Sequence, residues 1–164
     1  MKKFELTDEF VTNVFGHKLF RIKALVAFGD VEKGELGGFI EKEDNLSHDD
    51  NAWVFGDARV SGDARVSGNA RVSGNAQVFG NADYAVVAGF GRYFRTTTFF
   101  RCKDKILRVQ CGCFYGDLAQ FREIVKKTHG DSKYAKEYLA IADLMELHFS
   151  DKCGGEQMND GKIY

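Results

Sequence analysis

The sequence contains no proline in 164 residues, where average usage near 5% would place about eight. Proline-rich linkers, polyproline segments and collagen-like chains are therefore excluded. Charge of one sign is also lacking, because 23 basic side chains face 24 acidic ones and the net charge is -1. No global field pulls the chain toward nucleic acid or an acidic membrane. No apolar run approaches the roughly 20 residues of a membrane helix, and the opening Met1-Lys2-Lys3-Phe4-Glu5 has no apolar leader. A cytoplasmic protein with no membrane contact is the expectation. Cysteine is sparse, and Cys102, Cys111, Cys113 and Cys153 fit free thiols in a reducing compartment. What is present is 18 glycines, 15 phenylalanines and 44% hydrophobic residues, enough for the core of one domain or two small fused ones.

The charge balance hides a local asymmetry. Residues 1–57 carry 7 bases and 12 acids, residues 58–108 carry 9 and 3, and residues 109–164 carry 7 and 9. An anion site is therefore expected in the middle third.

That middle contains a repeat of period six. Ala recurs at Ala52, Ala58, Ala64, Ala70, Ala76 and Ala82, Val at Val54, Val60, Val66, Val72 and Val78, and Gly at Gly56, Gly62, Gly68, Gly74 and Gly80, with Asn or Asp before each alanine. Ala and Val two apart point to one side of a short strand, and Gly with Asn or Asp accommodates the corner that follows. Three such sides make a triangular turn of 18 residues. The pattern Val-Ser-Gly-Asp/Asn-Ala-Arg resembles the hexapeptide repeat of left-handed parallel β-helices. The expected fold is mainly β: a short left-handed parallel β-helix of about three coils over 37–90, with Ile40 and Leu46 in the Ala column and Ala88 and Phe90 ending the last hexad. Stacking at i and i+18 then sets Trp53 beside Arg71, Glu41 beside Arg59 and Gln77, and Ser47 beside Arg65 and Asp83. No two like charges meet, as stacked rungs require.

A solenoid needs covered ends. A capping strand is expected at about 18–28 within an N-terminal segment 1–36, and a C-terminal α+β unit at 91–149. That unit reads as a hairpin over 92–113 turning near Lys103-Asp104-Lys105, then two helices. The first starts at the Asp117/Gln120 capping box and buries Leu118, Phe121 and Val125. The second is capped by Asp131 or Ser132, with Tyr134, Tyr138, Ile141, Met145 and His148 as its inner stripe. Residues 150–164 read as a flexible tail.

Three chemistries have candidate residues. His48, the one histidine inside the repeat, is followed by Asp49 and Asp50, and a carboxylate-flanked imidazole is suited to general-base work. Its place in a Val column also suits a structural histidine. Cys102, Cys111 and Cys113, with His129, His148 or Cys153, offer zinc-ligand types, although Cys-Gly-Cys lacks the Cys-x-x-Cys spacing of a knuckle. Finally Arg92, Arg95, Arg101, Lys103, Lys105 and Arg108 interleave with Tyr93, Phe94, Phe99 and Phe100. Arginine among stacking rings on strands suits an anion, a nucleotide or single-stranded nucleic acid.

The stretch from Lys18 to Leu25, the run Gly34-Glu35-Leu36-Gly37-Gly38-Phe39-Ile40-Glu41-Lys42-Glu43, Asn45-Leu46-Ser47 and the Gly-Asn/Asp-Ala repeats together resemble uncharacterised hexapeptide-repeat proteins of bacteria and their phages. The likeness continues through Arg95-Thr96-Thr97-Thr98-Phe99-Phe100 to His129-Gly130-Asp131-Ser132-Lys133-Tyr134. It implies a small cytoplasmic, prophage-linked protein, with a host factor such as a defence system as its target. Many hexapeptide-repeat proteins are trimeric acetyl-CoA-dependent acyltransferases with a base histidine, which implies His48 with Asp50, and acetyl-CoA as cofactor, as the alternative. The favoured expectation is a non-catalytic scaffold that assembles with itself, as a trimer, and binds a macromolecular partner. Nucleotide or nucleic-acid binding at 90–108 is the third reading.

Overall fold

Two extended segments precede the repeat. β1 (Phe4–Thr12) and β2 (Lys18–Ala24) pair antiparallel, and in the turn at 13–17 Asn13 Oδ1 accepts the backbone N–H groups of Phe15 and His17. In the computed structural model, which describes residues 1–150, β2 pairs in turn with β3 (Leu36–Ile40). The expected single cap is thus a hairpin. β1 escapes the pattern because a bulge between Leu6 and Phe10 interrupts its alternation and Glu5, Asp8 and Glu9 sit among its apolar residues.

Within the repeat each strand is two residues long: β4 (Trp53–Val54), β5 (Arg59–Val60), β6 (Arg71–Val72) and β7 (Gln77–Val78). They pair in parallel, Trp53 opposite Arg71 and Arg59 opposite Gln77. Phe55 N donates to Val72 O at 2.7 Å and Ser61 N to Val78 O at 2.8 Å. The alanines from Ala52 to Ala76 and the valines from Val54 to Val78 are buried in one core with Phe4, Ile22, Trp53 and Phe100. Gly56, Gly62, Gly68 and Gly74 turn the corners at φ between +59° and +65°, a region that favours glycine. Gly80 is extended at φ -157°, and Ala82 is exposed. The repeat ends there.

The three-coil left-handed β-helix expected over 37–90 is not formed. The short strands contribute rungs to a mixed five-stranded sheet, ordered β1-β2-β3-β5-β7, and to the separate pair β4-β6, and neither sheet closes into a solenoid. Two physical reasons account for this. At one end the antiparallel β2 occupies the edge of β3, and at the other residues 84–90 leave the repeat as β8 (Tyr84–Phe90), an antiparallel partner of β9 (Arg95–Arg101). Ala88 and Phe90 are therefore exposed strand residues and not a last hexad. The register also slips by two. Ile40 lies opposite Val60 and Leu46 bridges to Val66, so both occupy the Val column. The extra residues fall between Leu46 and Ala52, where Asp50 turns the chain at φ +59°. Glu41 consequently misses Arg59 and accepts Gly62 N through Oε2 at 2.7 Å. The expected Ser47–Arg65 pair is lost with the same slip. Trp53 lies opposite Arg71 as expected, but it is fully buried against the rings of Phe4 and Phe28.

The C-terminal unit is a four-stranded antiparallel sheet, ordered β11-β10-β9-β8 with β10 (Leu107–Cys111) and β11 (Phe114–Asp117), where only a hairpin was expected. Helices α1 (Leu118–His129) and α2 (Lys133–His148) cover one face. Asp117 and Gln120 cap α1 reciprocally, and Ser132 Oγ accepts Ala135 N at the start of α2. The stripe on α2 is rotated from the expected one: Ala135, Tyr138, Ile141, Ala142 and Met145 are buried, whereas Tyr134 and His148 are exposed. The successive residues Phe99 and Phe100 point to opposite faces of β9. Phe99 enters the helix-side core and Phe100 the repeat core. β9 and the turn after it also close the open side of the repeat, through Arg71 N donating to Thr98 Oγ1, Lys103 N donating to Asn75 O, and the Ala76–Cys102 bridge.

Two stability predictions arise here. Gly62 and Gly68 share φ +63°, but a Cβ on Gly62 would collide with Phe79 O, whereas one on Gly68 meets nothing within 4 Å. Gly68→Ala is expected to cost about 1–2 kcal/mol for left-handed backbone alone, and Gly62→Ala measurably more, read by urea denaturation. The second concerns Lys3, 3% exposed, whose Nζ donates to Ala52 O at 2.8 Å and to the carbonyls of Asp49 and Asp50 at 3.4 Å. Burial lowers its pKa from 10.5 to about 8, against the opposing charges of Asp50 and Asp49. Between those two values the unfolded chain holds a proton that the folded chain has released, so stability rises with pH. Denaturation at pH 7.5 and pH 10 should show this rise in the native protein and a flatter profile in Lys3→Met.

Candidate functional site

The connection from β8 to β9 is built for an unusual backbone. Gly89, Gly91 and Phe94 all have positive φ, +89°, +74° and +53°, and a bulky residue there marks a constrained turn. α2 holds it in place: Gly91 N donates to Glu137 Oε2 at 3.0 Å and Tyr138 OH to Phe90 O at 3.3 Å. Gly91 also admits Tyr138, whose hydroxyl would collide with any Cβ.

This fixed turn carries Arg92, Tyr93 and Arg95. Their guanidinium carbons lie 5.6 and 5.2 Å from the Tyr93 ring centre, and among the described residues neither has a carboxylate partner. Other arginines of the basic middle do: Arg71 pairs with Asp30, Arg101 with Asp83 and Arg108 with Asp104. Two exposed guanidinium groups beside one ring leave their N–H forks available to an anion.

Beneath them opens a cavity of about 330 Å³, bordered by Cys111, Cys113 and Phe114 from the second hairpin and floored by Phe121 and Val125 of α1. One wall is aromatic, because His129 stacks on Tyr138 at 5.9 Å and 28°. Burial, with Cys111 beside it, pushes Tyr138 up to about 12, so its hydroxyl remains a neutral donor at physiological pH. An apolar floor, a ring wall and two cations at the rim suit a ligand with an apolar or planar body and an anionic group.

The Cys-Gly-Cys motif takes its meaning from this cavity. Gly112 turns at φ +57° between the paired Cys111 and Phe114, and Arg95 Nη1 lies where a side chain on Gly112 would begin. Cys111 Sγ accepts from Thr97 Oγ1 at 3.3 Å, and Cys113 is exposed in the turn. Cys102 lies in the repeat core, where burial pushes its thiol up. The three cysteines are thus divided between two places, and among the described residues no group of three His, Cys, Asp or Glu side chains is placed to hold a metal ion. His148 packs edge-on against the Phe149 ring at 4.9 Å, and Cys153 and all but the first residue of the tail expected over 150–164 lie outside the described residues.

The basic segment expected to act as one strip is divided as well. Arg92 and Arg95 stand at one end of β9, while Lys103 and Lys105 stand at the other, one strand length or about 20 Å away. There Arg108 binds Asp104 through two hydrogen bonds of 2.9 and 2.8 Å, which holds the Asp104 carboxyl down to about 2. Arg101 lies over the Phe149 ring at 5.4 Å.

Both ring nitrogens and one face of His48 are engaged. Its Nδ1 accepts Lys3 N at 3.1 Å, its Nε2 faces Glu43 at 3.6 Å, and its ring stacks on Phe4 at 4.2 Å. Asp50 offers its backbone carbonyl to Lys3. These contacts give the imidazole a packing role under β1.

By residue type His129 suits a zinc ligand, and by spacing Tyr138 suits a core position. No local signal joins either to the hairpin, because α1 and α2 bring them there through tertiary packing. No helix among the described residues is long and apolar enough to cross a membrane. No protein-family model matches the chain, and no curated protein matches it.

Proposed function

We propose that the protein is a non-catalytic binding protein whose ligand is an anionic small molecule with an apolar or planar body, of the nucleotide class. The observation that carries this reading is the pairing of Arg92 and Arg95, both without a carboxylate partner among the described residues, with the ring-walled cavity below them. The separation of this pair from Lys103, Lys105 and the neutralised Arg108 favours one compact ligand over an extended nucleic-acid strand. Calorimetric titration with nucleoside monophosphates should give saturable, salt-weakened binding, unchanged in Lys103→Ala/Lys105→Ala. Binding lost in that lysine variant, or absent at 50 mM salt, would remove the reading.

A second reading keeps the macromolecular partner. Tyr93 and Phe94 are 66% and 73% exposed, and exposed rings beside arginine are typical anchors of protein interfaces. It predicts that Phe94→Ser weakens partner capture without affecting nucleotide titrations. Trimerisation is a separate proposal, and a monomer mass by light scattering would end it.

A further inference from the structure

Arg95 borders a second hollow. A groove of about 220 Å³ lies on its other side, lined by Asn51, Asn69 and Arg71 of the repeat, Asp30, and Thr96 of β9. Asn51 and Asn69 occupy equivalent corners of neighbouring rungs, two residues before the paired Trp53 and Arg71. Their side-chain amides provide both donors and acceptors. Arg71 lies over the Phe55 ring at 4.4 Å and pairs with Asp30 through Nη1 at 2.5 Å, while its Nε is buried with no hydrogen-bond partner among the described residues.

The two hollows differ in the side chains they offer. The cavity under Tyr93 is walled by rings, the groove carries the amides of Asn51 and Asn69 beside the Arg71–Asp30 pair, and Arg95 is common to both. We infer that one ligand spans them, with a planar end on the His129–Tyr138 wall, an anionic linker on Arg95 and a hydroxyl- or amide-rich end against Asn51, Asn69 and Arg71. The chemical class with that order of parts is a nucleoside diphosphate conjugate, in which a phosphate linker joins a nucleoside to a sugar or to a second nucleoside. This inference rests on the reading of the Arg92–Arg95 cavity as an anion site and adds the groove to it.

The test compares conjugates with the matching monophosphates on the full chain by calorimetry, using uridine diphosphate glucose against uridine monophosphate and nicotinamide adenine dinucleotide against adenosine monophosphate. At least one conjugate should bind ten-fold or more tightly than its monophosphate. Asn69→Asp, a change at an exposed corner that places negative charge beside the linker, should bring that ratio close to one, and Arg71→Met should do the same. Equal affinity of conjugates and monophosphates would overturn the spanning ligand while leaving the cavity reading in place. Absence of binding by both would overturn the two together.

Discussion

Phe100→Ala is expected to lower the unfolding free energy by about 3–5 kcal/mol, the range for truncating a fully buried phenylalanine. The ring sits in the core formed by the alanine and valine columns, although its backbone belongs to the C-terminal sheet, and it stacks near Tyr115 at 6.3 Å. Its removal therefore empties volume where the two halves of the molecule meet. For a domain whose whole stability is about 5–15 kcal/mol, this is a large part of the total. Denaturant unfolding followed by tryptophan fluorescence reads the repeat side, since Trp53 lies in the same core, and far-ultraviolet circular dichroism reads α1 and α2. In the variant both signals should move to lower denaturant. A variant of native stability would mean that β9 does not close the repeat core.

Arg95→Ala should weaken nucleotide-class ligands by about 1.5–3 kcal/mol, the range for a hydrogen bond to a charged group. That corresponds to roughly 10- to 150-fold in Kd. Arg95→Lys should recover only part of the loss, because a point charge replaces a planar fork that lies between the Tyr93 ring and Gly112. Arg92→Ala should have a smaller effect in the same direction, since Arg92 lines the cavity but not the groove. Stability should change little in these variants, as Arg92 and Arg95 are exposed. An Arg95→Ala protein that binds like the native one would remove the assignment of the site.

Much of the repeat is legible residue by residue. The Ala and Val columns specify the inner face, and the Asn/Asp-Gly corners specify where the left-handed turns fall, because few other residues accept that backbone. Register in the weak hexads is not legible, since Ile40 and Leu46 are equally apolar in either column and only the turn at Asp50 decides between them. Closure into a solenoid does not follow from the repeat for a related reason. Six-residue periodicity describes individual rungs, whereas the edges of the sheet are settled by β2 and β9, whose pairing is a long-range matter.

The candidate site divides in the same way. Arg92, Tyr93 and Arg95 stand out in composition as an anion-binding cluster, and the Asp117/Gln120 box announces the helix that floors the cavity. What composition obscures is neutralisation. Arg101 and Arg108 look equivalent to Arg95 until Asp83 and Asp104 are seen against them. The ring wall is invisible before folding, because His129 and Tyr138 lie on different helices.

The most direct test of the central claim is amide chemical-shift mapping during titration with a nucleoside monophosphate. The account predicts that the largest changes fall on residues 91–96 and 111–114, with smaller ones at Thr128 and His129. Changes concentrated at residues 101–108, or around His48, would contradict it.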